Sequence, residues 1–366
     1  MISTVSADET EKPSSSIRGQ SLFLKTQAAI LVEQRKPLVI DEVEVPALKR
    51  GQVLVEIHAT RVCGSQIGEI DGVKGPDKFL PHLLGHEAGA IVLEVGSDVT
   101  RVAPGDRVVC HWRPGAGIDA GGSVYKWNGR EVNAGSITTF QKYAIISENR
   151  LTKVPPDTDF ELCCLLADTL TTGFGIINND AKVKAGESVV IFGVGGIGLG
   201  VLVGAKLAGA NPIIGVDLHD HKLGKAAEYG LTHQINASRE NAAERVKEIL
   251  GGLADVTIDG TGNPAVIESA YELACLRGGR CVLFGVLQYD KKISIQTLAL
   301  HFGRTLTGSE GGQSRPHVDI PKILCQIAAG AFDPSDFVNR RGSLTEVADV
   351  IAAMRKGDVL HAVLVP

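Results

Sequence analysis

Across 366 residues the sequence has no excess of basic residues, no cysteine framework, no internal repeat and no low-complexity linker. With 37 Lys+Arg against 42 Asp+Glu the formal net charge is -5, which denies it the positive footprint of a nucleic-acid-binding chain. Seven cysteines, Cys63, Cys110, Cys163, Cys164, Cys275, Cys281 and Cys325, are odd in number and widely spaced. That excludes a disulfide scaffold and points to reduced thiols in a cytoplasmic enzyme. Residues 1–20, MISTVSADETEKPSSSIRGQ, are polar with no apolar core, so they read as a disordered tail and not as a secretory signal. The longest apolar run, SVVIFGVGGIGLGVLVGAKLAGA at 188–210, has the length of a membrane span, but its glycines argue against one.

What is present suits a globular protein: 44% hydrophobic and 22% charged residues, in a chain long enough for two domains. From about residue 21 to 150, short β-like runs (QVLVEIHA, AIVLEVG, DRVVCHW, QKYAIIS) are broken by glycine and proline, which predicts a mostly antiparallel, barrel-like region. After about residue 170 strand and helix alternate: SVVIFG, GIGLGVLVGAKLAGA, PIIGVDL, HKLGKAAEYG, DVTIDGTG and GRCVLFGV. Alternation of that kind builds βαβ units and a parallel sheet. The end of the chain is mixed, with a helix-like SLTEVADVIAAMRKGD and a strand-like HAVLVP. Residues 111–136 are glycine-rich and read as a long excursion between strands, of the length that is usually functional or disordered.

The stretch SVVIFGVGGIGLG places Gly193, Gly195 and Gly198 in G-x-G-x-x-G spacing, after an apolar strand and at the opening of a helix. Such a turn lets backbone approach a pyrophosphate, and Gly196 and Ile197 begin the helix whose free N–H groups favour an anion. The three glycines alone would equally suit a turn without ligand. Asp217 changes the balance: it ends the next strand, 19 positions after Gly198, where a carboxylate accepts from ribose hydroxyls and repels a 2'-phosphate. NAD(H) is therefore expected over NADP(H). Lys222 is close enough in sequence to reach the same ribose, and a solvated helix face is its other reading.

In LPHLLGHEAGA, residues 80–90, His86 and Glu87 stand between two glycines. Cys63, in RVCGSQIGEIDG, follows a strand-like run and opens a glycine-marked turn, a plausible place for a thiolate ligand. A buried thiol is the commoner fate of a cysteine. Spacing alone joins neither residue to a third ligand.

The combination of CGS, GHEAGA, PGDRV, TLTTGFG, the glycine fingerprint and the final GDVLHAVL resembles the zinc-dependent alcohol dehydrogenases of the medium-chain dehydrogenase/reductase superfamily, in the family's order over nearly the whole chain. The resemblance implies an α/β fold: a doubly wound Rossmann domain at 170–312, and a mainly β, GroES-like barrel catalytic domain at 21–169 to which 313–366 return. It also implies an enzyme moving hydride between NAD(H) and a small-molecule alcohol/carbonyl pair, working as a homodimer or homotetramer with neither membrane nor nucleic acid as partner.

Carried over residue by residue, Cys63 and His86 match two catalytic zinc ligands, and Glu87 the adjacent glutamate that can exchange onto the metal. The third ligand, a cysteine in many members, falls on Asp168, while Cys163 and Cys164 are out of register. Ser65 matches the hydroxyl that passes on the alcohol proton, a turn-stabilising serine being its other reading, and Thr172 falls among the cofactor-binding positions. His111, Trp112 and Arg113 match positions that line the substrate pocket. An arginine there would suit an anionic or polyhydroxylated substrate; a solvated loop arginine is the alternative.

Four departures from the family pattern bear on chemistry. Gln66 replaces an aspartate that accepts from the ligand histidine, and its amide oxygen is expected to accept instead. Gly68 replaces the relay histidine. Gly64 and His361 replace two pyrophosphate-binding arginines. The lobe at 111–136 lacks the four cysteines of a structural zinc, which predicts one catalytic Zn²⁺ per subunit. Against this reading stand a zinc-free quinone or enoyl-type reductase of the same superfamily, and a weakly catalytic dinucleotide-binding protein.

Overall fold

The structure, a computed structural model, describes residues 24–366, so the tail expected over residues 1–20 lies outside the described residues. The strands Lys25–Leu31, Val39–Glu44, Val124–Trp127, Arg130–Asn133 and His82–Leu83 close into a barrel. A second sheet beside it runs Leu151–Lys153, Arg107–His111, Glu87–Val95, Gln52–Val62, Ala362–Val365 and Arg340–Ser343, with Tyr143–Ser147 also paired to Gln52–Val62. The end of the chain thus returns to the first half, with Ala362 opposite Val62.

The lobe at 111–136 differs from the expected excursion. It contributes the hairpin Val124–Trp127/Arg130–Asn133, which completes the barrel. Its turn is Asn128–Gly129, both at positive φ (49° and 76°), the pair that a two-residue hairpin turn matching strand twist demands. The rest of the lobe is fastened by Glu148, whose buried carboxylate accepts from the backbone N–H groups of Thr100, Arg101 and Ile118 at 2.6, 2.8 and 2.7 Å.

The second half forms a six-stranded parallel sheet in the order His233–Asn236, Ile213–Asp217, Val189–Phe192, Val256–Asp259, Arg280–Leu283, Thr305–Gly308. Helices cover both faces, so the central run VVIF is buried at every position, as a strand inside a parallel sheet must be. The apolar 188–210 run divides into this strand and the helix Gly196–Leu207, whose interior is buried within the fold.

A different segment, Phe160–Ala181, is long and apolar enough to cross a membrane by length and composition, and 83% of its most apolar stretch is buried inside the protein. Asp159 starts it by accepting from the N–H groups of Glu161 and Leu162. At Asp168, φ -147° and ψ -59° interrupt the helix, and the chain resumes as Thr169–Gly175 packed on Gly196–Leu207. That interruption turns an acidic side chain out of an apolar helix and toward the first domain.

Candidate active site

Pairing across the second sheet assembles most of the site. Glu87 begins a strand whose Ala88 lies opposite Thr60 on one side, while Glu87 itself lies opposite His111 on the other. Cys63 follows directly after the Gln52–Val62 strand and is the N-cap of the helix Gly64–Asp71. Cys63, His86, Glu87 and Asp168 consequently offer four ligand atoms within 4.8 Å of one another. Cys63 Sγ is 3.8 Å from Asp168 Oδ2, and His86 Nε2 is 3.3 Å from Glu87 Oε1. Ligands around a tetrahedral zinc at bond lengths of 2.0–2.3 Å are about 3.5 Å apart, so the cluster needs little rearrangement to hold that ion.

Donor chemistry makes the same point. Asp168 Oδ1 accepts from the Trp112 indole N–H at 3.0 Å and from Thr172 Oγ1 at 2.5 Å. Oδ2 is left toward Cys63 and toward Arg61 Nη2, 3.7 Å away. Glu87 is fully buried and clamped by Arg61, Nε to Oε2 at 2.5 Å and Nη2 to Oε1 at 2.8 Å. Burial would raise Glu87's pKa, but the charges and hydrogen bonds of Arg61 and His86 together outweigh it and hold the carboxylate below its ordinary range. With Arg61 balancing Glu87, the Cys63 thiolate and the Asp168 carboxylate remain to neutralise a divalent cation, and the residues fit zinc. Cys164 is in the core, where burial pushes its thiol pKa well up, and it takes no part.

Around His86 the structure corrects one expectation. Gln66 Oε1 accepts from the Cys63 backbone N–H at 2.6 Å, so the amide nitrogen, not its oxygen, faces His86 Nδ1 at 2.6 Å. Ser65 Oγ is half-buried, 3.4 Å from His86 Nε2.

The expected pocket residues divide. Trp112 stands at the cluster through its bond to Asp168. His111 does not offer itself to a ligand: it is buried, with Nδ1 on Arg113 O at 2.7 Å and Nε2 on Thr152 Oγ1 at 2.9 Å, and burial pushes its pKa down to about 4. Arg113 turns away as well, to Glu310 Oε2 at 2.9 Å, Glu310 O at 2.6 Å and Ser314 O at 3.3 Å. The expectation of an anionic or polyhydroxylated substrate rested on Arg113, which these partners engage instead.

The dinucleotide positions come together at the carboxyl ends of the parallel strands. Gly193 has φ 88°, and a Cβ on Gly198 would lie 2.1 Å from Gly193 O, so both places need glycine. Gly195 is the N-cap of the helix that Gly196 and Ile197 begin. Asp217 ties this loop to the neighbouring strand by accepting from Val194 N–H at 3.1 Å, and Oδ1 accepts from Leu218 and His219 N–H. Lys222 is half-buried on the helix Asp220–Glu228 and makes no ion pair among the described residues. Thr172, expected near the cofactor, spends its hydroxyl on Asp168.

Arg61 was missed in the sequence, although a charged residue inside the run VLVEIHATRV, two before Cys63, is the signal that would have found it. The donors to Asp168 were missed too, since nothing local links residue 112 or 172 to 168.

Residues 196–328 match the family described as zinc-binding dehydrogenase, and residues 49–156 match the alcohol dehydrogenase GroES-like domain. An alcohol dehydrogenase class-3 of Cereibacter sphaeroides is 34% identical over 378 aligned positions, covering 93% of this chain and all of its own. An S-(hydroxymethyl)glutathione dehydrogenase of Paracoccus denitrificans is 32% identical, with 93% of this chain and 100% of its own covered. Among solved structures, an alcohol dehydrogenase zinc-binding domain protein from Burkholderia ambifaria superposes with TM-score 0.85 at 27% identity, over 94% of this chain and 99% of that one. The benzyl alcohol dehydrogenase of Acinetobacter calcoaceticus gives TM-score 0.84 at 26% identity, over 93% and 99%.

Proposed function

The chain belongs to the zinc-dependent alcohol dehydrogenases of the medium-chain dehydrogenase/reductase superfamily, oxidoreductases that act on CH–OH groups with NAD(H), and on that premise we propose which of its residues do what. Cys63, His86 and Asp168 would hold one catalytic zinc, with Glu87 beside them, held by Arg61. When bound, zinc supplies the Lewis acidity that brings an alcohol's pKa toward neutrality, and NAD carries the hydride. Asp168 is kept in place by Trp112 and Thr172, so its free oxygen faces the cluster without searching rotamers. Ser65 Oγ takes the alcohol's proton and releases it outward. With Gly68 where a relay histidine would stand, that route continues through water or a ribose hydroxyl.

Gly193, Gly195, Gly196, Ile197 and Gly198 receive the pyrophosphate, while Asp217 and Lys222 hold the adenosine ribose and favour NAD over NADP. We assign residues 21–169 with 313–366 to the catalytic domain and 170–312 to the nucleotide domain. The substrate is a small alcohol or carbonyl compound, and the subunits form a dimer or tetramer. Seven free thiols, one of them the exposed Cys325, suit a reducing cytoplasm. A zinc-free reductase would have no need of four converging ligand groups, and that convergence is the observation that carries the reading.

Elemental analysis of wild type and Asp168→Ala, alongside NAD reduction with an alcohol and polyol panel, tests it. One zinc per subunit is expected in wild type, with metal and turnover both reduced at least 10-fold in the variant. Undiminished zinc and turnover in Asp168→Ala would refute the ligand assignment.

A further inference from the structure

Leu218 and His219 join the strand Ile213–Asp217 to the helix Asp220–Glu228. Leu218 is exposed, and His219, the N-cap residue of that helix, makes no side-chain cap bond. The turn that follows Asp217 therefore has no apolar anchor of its own. Asp220 accepts from Asn236 Nδ2 at 2.6 Å and from Arg239. The histidines on either side of it have a different partner, Gly357, near the end of the chain.

His221 Nε2 is 3.0 Å from Gly357 O. A carbonyl oxygen only accepts, so Nε2 donates. The His219 ring lies against the same residue: a Cβ on Gly357 would be 2.5 Å from its Nε2, 3.0 Å from Cε1 and 3.1 Å from Cδ2. The two rings are 5.5 Å apart at 47°, and Gly357 is buried. Glycine is required twice over, by this contact and by φ 84°, with which it closes the helix Val347–Lys356 in a left-handed turn. Its carbonyl sits at the negative end of that helix, where a donor is favoured. Val347, Val350 and Ile351 of the same helix share a buried cluster with Val62 and Ile70. Those two residues lie on either side of Cys63, one ending its strand and one in the helix it caps. Gly357 thus belongs to the body that carries Cys63, and the histidines two and four positions after Asp217 hold on to it.

We propose that His219 and His221 clasp Gly357 and through it position the Asp217 turn, so that the first domain takes part in the choice of NAD(H) over NADP(H). The inference rests on the dinucleotide reading above. A carboxylate excludes a 2'-phosphate only while it is held where that phosphate would lie. A turn free to swing lets the carboxylate withdraw, and discrimination falls. Both histidines act through Asp217 and are positioning residues.

Fluorescence titration of zinc-loaded protein with NADH and with NADPH tests the clasp. His221→Asn, whose nitrogen matches Nδ1 and stops short of the carbonyl, is expected to lower the ratio of NADH to NADPH affinity about 3- to 10-fold. His221→Gln, whose amide nitrogen reaches the Nε2 position, keeps the wild-type ratio. Gly357→Asn tolerates the left-handed backbone but displaces the His219 ring, and it lowers the ratio in the same way. In an Asp217→Ala background His221→Asn has no further effect on the ratio, because the group it positions is gone. Zinc content stays at the wild-type value throughout. An unchanged ratio in His221→Asn or Gly357→Asn, an equal fall in His221→Gln, or an undiminished effect of His221→Asn without Asp217, would overturn the clasp. Wild type that binds neither dinucleotide would overturn the dinucleotide reading itself, a failure distinct from the loss of discrimination.

Discussion

Gln66 has one oxygen and two groups to serve. The Cys63 N–H takes that oxygen, so the amide donates to His86 Nδ1 and leaves the imidazole proton on Nε2, the nitrogen that faces Glu87 and Ser65. A ring nitrogen that bears a proton cannot ligate, so zinc binding requires the proton to move to Nδ1 and the amide to give up one bond. Glutamate has the same shape and two oxygens, one for each donor. Gln66→Glu is therefore expected to bind zinc about 10-fold or more tightly, by competition with a chelator; equal or weaker affinity in a well-folded variant would sink this account. At this scale family register picked out Asp168 over Cys164, and Asp168 is the residue that stands in the cluster while Cys164 lies in the core. Sequence reading failed where a side chain had two candidate partners. The direction of the Gln66 amide is decided by the Cys63 backbone, and the engagement of Arg113 by Glu310 and Ser314, and neither is written in local spacing.

Elements were legible when their cause was local. QVLVEIHA, AIVLEVG, DRVVCHW and QKYAIIS all contain strands, and GIGLGVLVGAKLAGA contains the helix expected of it. The lobe at 111–136 was harder, because its order comes from a distant residue. Glu148 there accepts three backbone N–H groups from two other segments, a duty that a metal with four cysteines performs in many relatives. Burial works to raise its pKa, and the three hydrogen bonds outweigh it, so the folded value lies below the ordinary one. A depressed carboxylate pKa contributes stability above the unfolded-state value, which disappears as pH falls through the folded one. Glu148→Gln gives up the charge and one acceptor, for an expected loss of about 1–3 kcal/mol near neutral pH. Denaturant titrations of both proteins should converge as pH falls through the depressed value of the folded carboxylate, where the wild-type side chain also protonates. A constant difference across that range would show that the charge plays no part.

At the scale of the molecule, the site exists because residues 63, 86 and 168 are gathered by pairings that no single segment encodes: two strands and an interrupted helix from different parts of the chain. The parallel sheet was readable from alternating texture, and its doubly wound order and the return of the chain end to the first domain from the family resemblance. The proposed dimer or tetramer has a candidate interface on the surface. Among the described residues, Thr305–Gly308 is hydrogen-bonded to Arg280–Leu283 alone, with its outer edge unpaired. Leu298, Leu300 and Phe302 stand just before it, 57%, 39% and 43% exposed. An open strand edge flanked by apolar side chains invites pairing with a like edge, and a two-fold arrangement satisfies both copies at once. Sedimentation of wild type at micromolar concentration should then give a dimer or larger species. Leu300→Asp with Phe302→Asp should shift it toward monomer while keeping zinc, because the proposed metal ligands all lie in the other half of the fold. A monomeric wild type would exclude the oligomer, and an oligomer indifferent to both substitutions would place its interface elsewhere.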